Sequence, residues 1–140
     1  MKKLLYLALA VLMILPLTVA CGSAPEGDPV AVADFSVISY SDAYGDGAVK
    51  DEAMAIELYK GEVTAYVVEG NDMTLKDVIE GYVYDKGVDA STNEAGTIYE
   101  SLAGYTADGT FFWNFYVNGK EASLSAKVQP TDSIKVCFEK

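Results

Sequence analysis

Through residues 109–120, Phe111, Trp113, Phe115 and Val117 alternate with Phe112, Asn114, Tyr116 and Asn118. On the two-residue period of a strand, the first set lies on one face and the second on the other. The first set is wholly apolar and is expected to face a core. The second mixes rings with amides, which suits either solvent or a ligand. Asn118-Gly119 then supplies a dipeptide that tolerates the positive φ of a tight reversal, so a hairpin is expected to follow.

The rest of the chain supplies further elements. Residues 62–69 are rich in β-branched and aromatic side chains and follow a looser run at 53–59 across Lys60-Gly61, which predicts a hairpin. Thr74 stands as an N-cap with Asp77 three positions on, and Leu75, Val78, Ile79 and Tyr82 recur at helical spacing. That pattern predicts an amphipathic helix over 75–84, with Gly87 marking its end. Residues 88–96 read as a solvated loop, whose oxygen-bearing side chains lack the spacing of a calcium loop. Strands are expected over 97–102 and 134–139, with Pro130 and Asp132 turning the chain before the last one. Residues 35–40 admit a short strand, and 41–50, with Gly45 and Gly47, read as loop. The order strand, strand, helix, strand, strand, strand predicts an α+β fold: a β-grasp-like mixed sheet with one packed helix.

The first twenty residues have a different character. Met1-Lys2-Lys3 is basic, and residues 4–17 form an apolar run shorter than the ~20 residues that span a bilayer, so the segment reads as a signal peptide. It ends in Leu17-Thr18-Val19-Ala20-Cys21-Gly22, which resembles a bacterial lipobox. The resemblance implies lipidation of Cys21 and anchorage to a bacterial membrane on its extracytoplasmic side. Ordinary secretory cleavage near Ala20, with Cys21 incidental, is the other reading. Residues 21–50 are then anchor and tether with a possible short strand, and 51–140 the folded domain.

Charge narrows the partners. Without residues 1–20 the chain has eight lysines against 21 carboxylates, a net charge of −13. Phosphate binding needs the opposite sign, so nucleic acid is excluded as a natural partner. The sequence has no histidine and no arginine, which removes the commonest general base and the best carboxylate or phosphate fork. Cys137 falls in an alternating strand and is expected to be a buried, structural thiol. With carboxylates scattered through turns and no base beside any Ser, Thr or Cys, a non-enzyme is expected.

Residues 63–138 resemble the C-terminal domain of transcobalamin and intrinsic factor, a domain that recurs in bacterial surface lipoproteins. The marks are Met73-Thr74-Leu75-Lys76-Asp77-Val78-Ile79, Ile98-Tyr99-Glu100-Ser101-Leu102-Ala103-Gly104, Phe112-Trp113-Asn114-Phe115-Tyr116-Val117-Asn118-Gly119-Lys120, and Val128-Gln129-Pro130-Thr131-Asp132-Ser133-Ile134. The resemblance implies a β-grasp-like fold and contact with cobalamin or another corrinoid near the tryptophan of the aromatic run. That points to Phe112, Trp113, Asn114 and Tyr116 as ligand-binding residues, with Tyr99 and Tyr105 brought close by neighbouring strands. No counterpart of the family's separate helical domain is expected within these residues, and they include no histidine to ligate cobalt. No cofactor is required by this reading, and no metal site is expected.

Two functions follow. One is a lipid-anchored binding domain that captures a corrinoid or another small ligand on an aromatic sheet face. The other is a surface module that docks a protein partner and takes no small molecule. Trp113 is open between the two roles of core residue and ligand platform.

Overall fold

The computed structural model describes residues 25–45 and 49–140. Two long strands open it, β1 (Asp28–Ser39) and β2 (Ile56–Val67), followed by the helix α1 (Leu75–Lys86). Three short strands come next: β3 (Ala90–Thr92), β4 (Tyr99–Leu102) and β5 (Tyr105–Thr106). The chain closes with β6 (Phe112–Val117), β7 (Lys120–Ala122) and β8 (Ser133–Glu139). The five-stranded main sheet has the order β2-β1-β8-β6-β7, and β3-β4-β5 form a separate small sheet. At the centre of the main sheet β1 and β8 run parallel, while its other neighbours are antiparallel. The molecule is a mixed α+β fold.

β1 corrects the sequence reading twice. The short strand admitted at 35–40 is present, but it begins at Asp28, so 28–34 of the expected tether belong to the sheet's second strand in spatial order, paired along its length with β2. The expected hairpin across Lys60-Gly61 is absent, because β2 runs straight through it. The cause lies in the register. Val32 pairs with Val63 but Phe35 with Gly61, so Ala33 and Asp34 together oppose Glu62. The extra residue shifts the side-chain phase, and Val32, Phe35 and Val37 all reach the core although strict alternation would part the first from the other two. Gly61 spends its φ of +146° on this irregularity and not on a reversal. There the Tyr59 hydroxyl donates to the Glu62 carbonyl.

The helix follows its local signals. Thr74 Oγ1 accepts from Asp77 N–H while Asp77 Oδ2 accepts from Thr74 N–H, a reciprocal capping box. Two further N-terminal donors are met by backbone: Leu75 and Lys76 N–H reach the carbonyls of Ala126 and Leu124 at 2.9 and 3.0 Å. Gly87, at φ 62°, closes the C-terminus in the left-handed conformation. Leu75, Val78, Ile79 and Tyr82 are buried against the sheet. Gly81 shares that buried side because the helix meets the β2 backbone there with no room for a side chain.

The inner face of the main sheet thus carries α1 over its β2 side and the small sheet over its β6 side. Tyr99 and Phe115 meet edge to face, and Leu102 is wholly buried in the same core. The expected loop at 88–96 therefore contributes a strand, β3, which pairs with β4. Asn118 and Gly119, at φ 52° and 79°, make the predicted reversal into β7.

Candidate functional site

The outer face of the main sheet carries the polar constellation. On β8, Ile134, Val136 and Phe138 point to the core, which leaves Ser133, Lys135, Cys137 and Glu139 on the other side. Across from them on β6, Phe112 pairs with Glu139, Asn114 with Cys137 and Tyr116 with Lys135. Residues 40–45 and 49–55 run over this face. Tyr40 N–H donates to the Phe138 carbonyl at 2.8 Å, Asp51 N–H to the Ala43 carbonyl at 2.8 Å, and Tyr44 bridges to Lys50. Tyr40, Ala43 and Cys137 form a small buried cluster of their own, against which Ile38, Tyr44, Ala55 and Tyr116 pack.

Glu139 is the centre. It is 5% exposed, and a buried carboxylate survives as an ion only when paired and hydrogen-bonded. Lys50 Nζ donates to Oε2 at 3.0 Å, Asn114 Nδ2 to Oε1 at 3.3 Å, and the Tyr116 hydroxyl also to Oε1. Lys50 is itself held on two further sides, 3.4 Å from Glu52 Oε1 and 4.0 Å above the centroid of the Tyr40 ring. Beside these groups lies a hollow of about 410 Å³, open to solvent and lined by Tyr40, Lys50, Glu52, Tyr116, Cys137 and Glu139 among others.

The electrostatics follow from those contacts. Burial pushes the Glu139 carboxyl up, but the donors Tyr116, Lys50 and Asn114 outweigh it and leave the pKa below the ordinary value of 4.5. Burial likewise opposes the Lys50 ammonium, and the hydrogen bond and charge of Glu139, with Glu52, outweigh it and raise the pKa. Tyr116 is raised by its bond to Glu139 and by burial. Burial, with Glu52 beside the ring, pushes the Tyr40 phenol up to about 12. Burial, with the Glu139 charge beside it, pushes the Cys137 thiol up to about 12.

A pH dependence follows. A carboxylate whose folded pKa is depressed contributes stability above its unfolded value, and that contribution is lost as pH falls through the folded value. Glu139→Gln is expected to be less stable than the wild type at pH 7 by about 1.5–3 kcal/mol, the range for hydrogen bonds to a charged group. In urea unfolding, the gap should close as pH drops below about 4.5 and through the lowered pKa of Glu139. A gap of constant size from pH 7 to pH 3 would show that the Glu139 charge contributes nothing.

The residues singled out from sequence divide between the two faces. Phe112, Asn114 and Tyr116 lie on the outer face, with Phe112 47% exposed. Trp113 is 4% exposed and belongs to the core, where its Nε1–H donates to the Tyr105 carbonyl at 3.0 Å. Tyr99, 4% exposed, and Tyr105 also lie on the inner side, packed against Phe115 and Trp113. Neighbouring strands do bring both close to the aromatic run, but on its inner side, away from Phe112, Asn114 and Tyr116. Residues 90–106 form a separate sheet over the core, so β4 and β5 never join the main sheet. Cys21, the signal segment and the first part of the tether lie outside the described residues.

Lys50, Glu139 and Tyr40 went unnoticed in the sequence reading. Lys50 sits in a stretch that reads as loop, and Glu139 falls at a position that alternation assigns to solvent. The one available signal was Cys137, a buried type of residue on the polar face of its strand, which implies that something covers that face. Cys137 is indeed buried and unpaired. Among the described residues no group of acidic or thiol side chains is arranged to hold a metal ion, and no helix is long and apolar enough to cross a membrane. Neither family models nor curated proteins give a match to the chain.

Proposed function

We propose that this chain is a membrane-anchored extracytoplasmic binding module of β-grasp type, which takes a small ligand on the outer face of its sheet. The β-grasp reading is supported by the order β2-β1-β8-β6-β7, the parallel central pair and the α-helix that follows the first two strands. The binding reading is carried by one observation: an open hollow whose wall holds the Glu139 carboxylate, fixed before any ligand arrives by hydrogen bonds from Tyr116, also in the wall, and from Asn114 behind it. Fixed polar groups beside rings are what orient a ligand without a further ordering cost.

Placement supports the anchor. β1 begins at Asp28, seven positions after Cys21, and ends beside the hollow. Twelve strand residues extend about 40 Å at 3.3 Å each, so a tether to Cys21 would join the domain at the end of β1 remote from the hollow. Binding also fits the chemistry better than catalysis. The Glu139 carboxyl is held ionised and cannot donate a proton near neutrality, and a thiol with a pKa of about 12 is almost wholly protonated there.

The ligand class offered by the family resemblance is a corrinoid. Thermal unfolding with and without cobalamin, and with a cobalt-free analogue, tests it. A ligand at 100 times its dissociation constant adds about 2.7 kcal/mol, and an upward shift abolished by Asn114→Ala would support a corrinoid on this face. Absence of a shift at saturating concentrations would remove the corrinoid. It would favour the second reading, a protein-docking face, which the exposed Phe112 ring supports.

A further inference from the structure

Lys50 is held by the chain as a ligand would be. Its Nζ has the Glu139 carboxylate at 3.0 Å, the Glu52 carboxylate at 3.4 Å and the face of the Tyr40 ring at 4.0 Å. Two anions and a ring face are the elements that recognise an organic ammonium ion. The buried carboxylate does not depend on Lys50 alone, because Tyr116 and Asn114 keep donating to its other oxygen. Beside Nζ, the hollow leaves room for a body attached to an ammonium, between Tyr40 and Tyr116.

The stretch that brings Lys50 in is lightly held. Val49 is exposed, and the single turn Glu52–Met54 that follows contains no buried residue. The backbone is tied there by the bridge of Lys50 to Tyr44 and by Asp51 N–H to the Ala43 carbonyl, so the backbone stays in place while the long side chain swings out. Moving the Lys50 head out of its cage bares the face of the Tyr40 ring and Glu139 Oε2, which the incoming ammonium covers again, and the released ammonium enters water. A net charge of −11 for the whole chain also raises the local concentration of cations.

We propose that this cage is a binding site for an organic ammonium ion, occupied by Lys50 in the free protein and vacated when the ligand displaces it. The proposal rests on reading the outer face as the ligand surface, and it adds the chemical class that the face selects. Lys50 acts as a resident competitor, so the apparent affinity of any ligand is reduced by the fraction of molecules in which the cage is full.

The test uses the full chain and benzyltrimethylammonium, which cannot itself be acylated, with benzyl alcohol as its uncharged counterpart. Lysine acylation is followed residue by residue by mass spectrometry. In the free chain Lys50 is expected to react more slowly than the exposed lysines. The cation should accelerate it selectively, and benzyl alcohol should not. Lys50→Met keeps the stem and removes the competitor; with the cage more than nine-tenths occupied by Lys50, affinity for the cation should tighten by at least about tenfold. Adding Glu139→Gln should reverse most of that gain. Lys50 acylation indifferent to the cation would overturn the proposal, and so would a Lys50→Met protein that binds no more tightly. Should Lys50→Met fail to fold, acylation of the wild type decides alone. A cobalamin shift with no response to the cation sinks the cage and leaves the outer face as a ligand surface. A response to the cation with no cobalamin shift keeps the cage and removes the corrinoid.

Discussion

Gly81→Ala is expected to destabilise the protein by about 2 kcal/mol or more, although alanine is the better helix former. Taken alone, the substitution in a helix interior gains about 1 kcal/mol. The opposing term is steric. A Cβ on Gly81 would overlap the Thr64 carbonyl oxygen and lie 3.0 Å from Ala65 Cα. Both are backbone atoms of β2, so no side chain can rotate away. Nor can β2 retreat freely, since Thr64 and Ala65 are paired with Ala31 and Val30 of β1. Overpacking of this kind typically costs 1–3 kcal/mol, and more where the obstacle is rigid. The melting temperature should fall by roughly 8 °C, at about 4 °C per kcal/mol for a domain of this size. A Gly81→Ala protein as stable as the wild type would show that the helix can slide along the sheet, and that the close approach is incidental.

That contact also shows what a sequence conceals. Helical spacing and the capping box located α1, because both are local and rest on residues within four positions of one another. A lone glycine inside the helix carries no sign of which strand it touches. The aromatic run of β6 was legible for the same reason as the helix: its alternation is unbroken, and Asn118-Gly119 ends it. Only the second half of β1 was legible, as a short strand at 35–40; its first half was concealed by its own irregularity. The two residues opposite Glu62 put Val32 and Phe35 at an odd spacing, and period-two reading then assigns them to different faces. A glycine opposite that bulge was read as a turn.

The site was half legible. Asn114 and Tyr116 follow from alternation alone, since the neighbours of core residues on a strand must face the other way. Their partner Glu139 could not be inferred, because a carboxylate at a solvent-phased position is unremarkable until a distant segment covers it. Lys50 lies 89 positions from Glu139 in the chain, and nothing local in a sequence reports such a pairing. Tyr99 and Tyr105 went to the inner side because topology, not spacing, decides which sheet a short strand joins.

Trp113→Ala is expected to cost about 3–5 kcal/mol, the range for removing a large buried ring. The ring packs at 5.1 Å from Phe138 and edge to face with Tyr105, and its indole N–H satisfies the Tyr105 carbonyl. Against a total stability of 5–15 kcal/mol, a loss of that size leaves a marginal or unfolded protein. Trp113→Phe should lose far less, chiefly the hydrogen bond, at about 1 kcal/mol. Urea unfolding of both variants decides the matter. The comparison separates core from platform because Trp113 and Asn114 are adjacent in the chain yet project to opposite faces. A ring that served only as ligand platform would lose binding on truncation while its unfolding curve stayed with the wild type. That outcome would place the ligand on the inner side with Tyr99 and Tyr105. A large loss for alanine with a small one for phenylalanine instead makes Trp113 the support behind β6, holding in place the strand whose other face carries Asn114 and Tyr116 to Glu139.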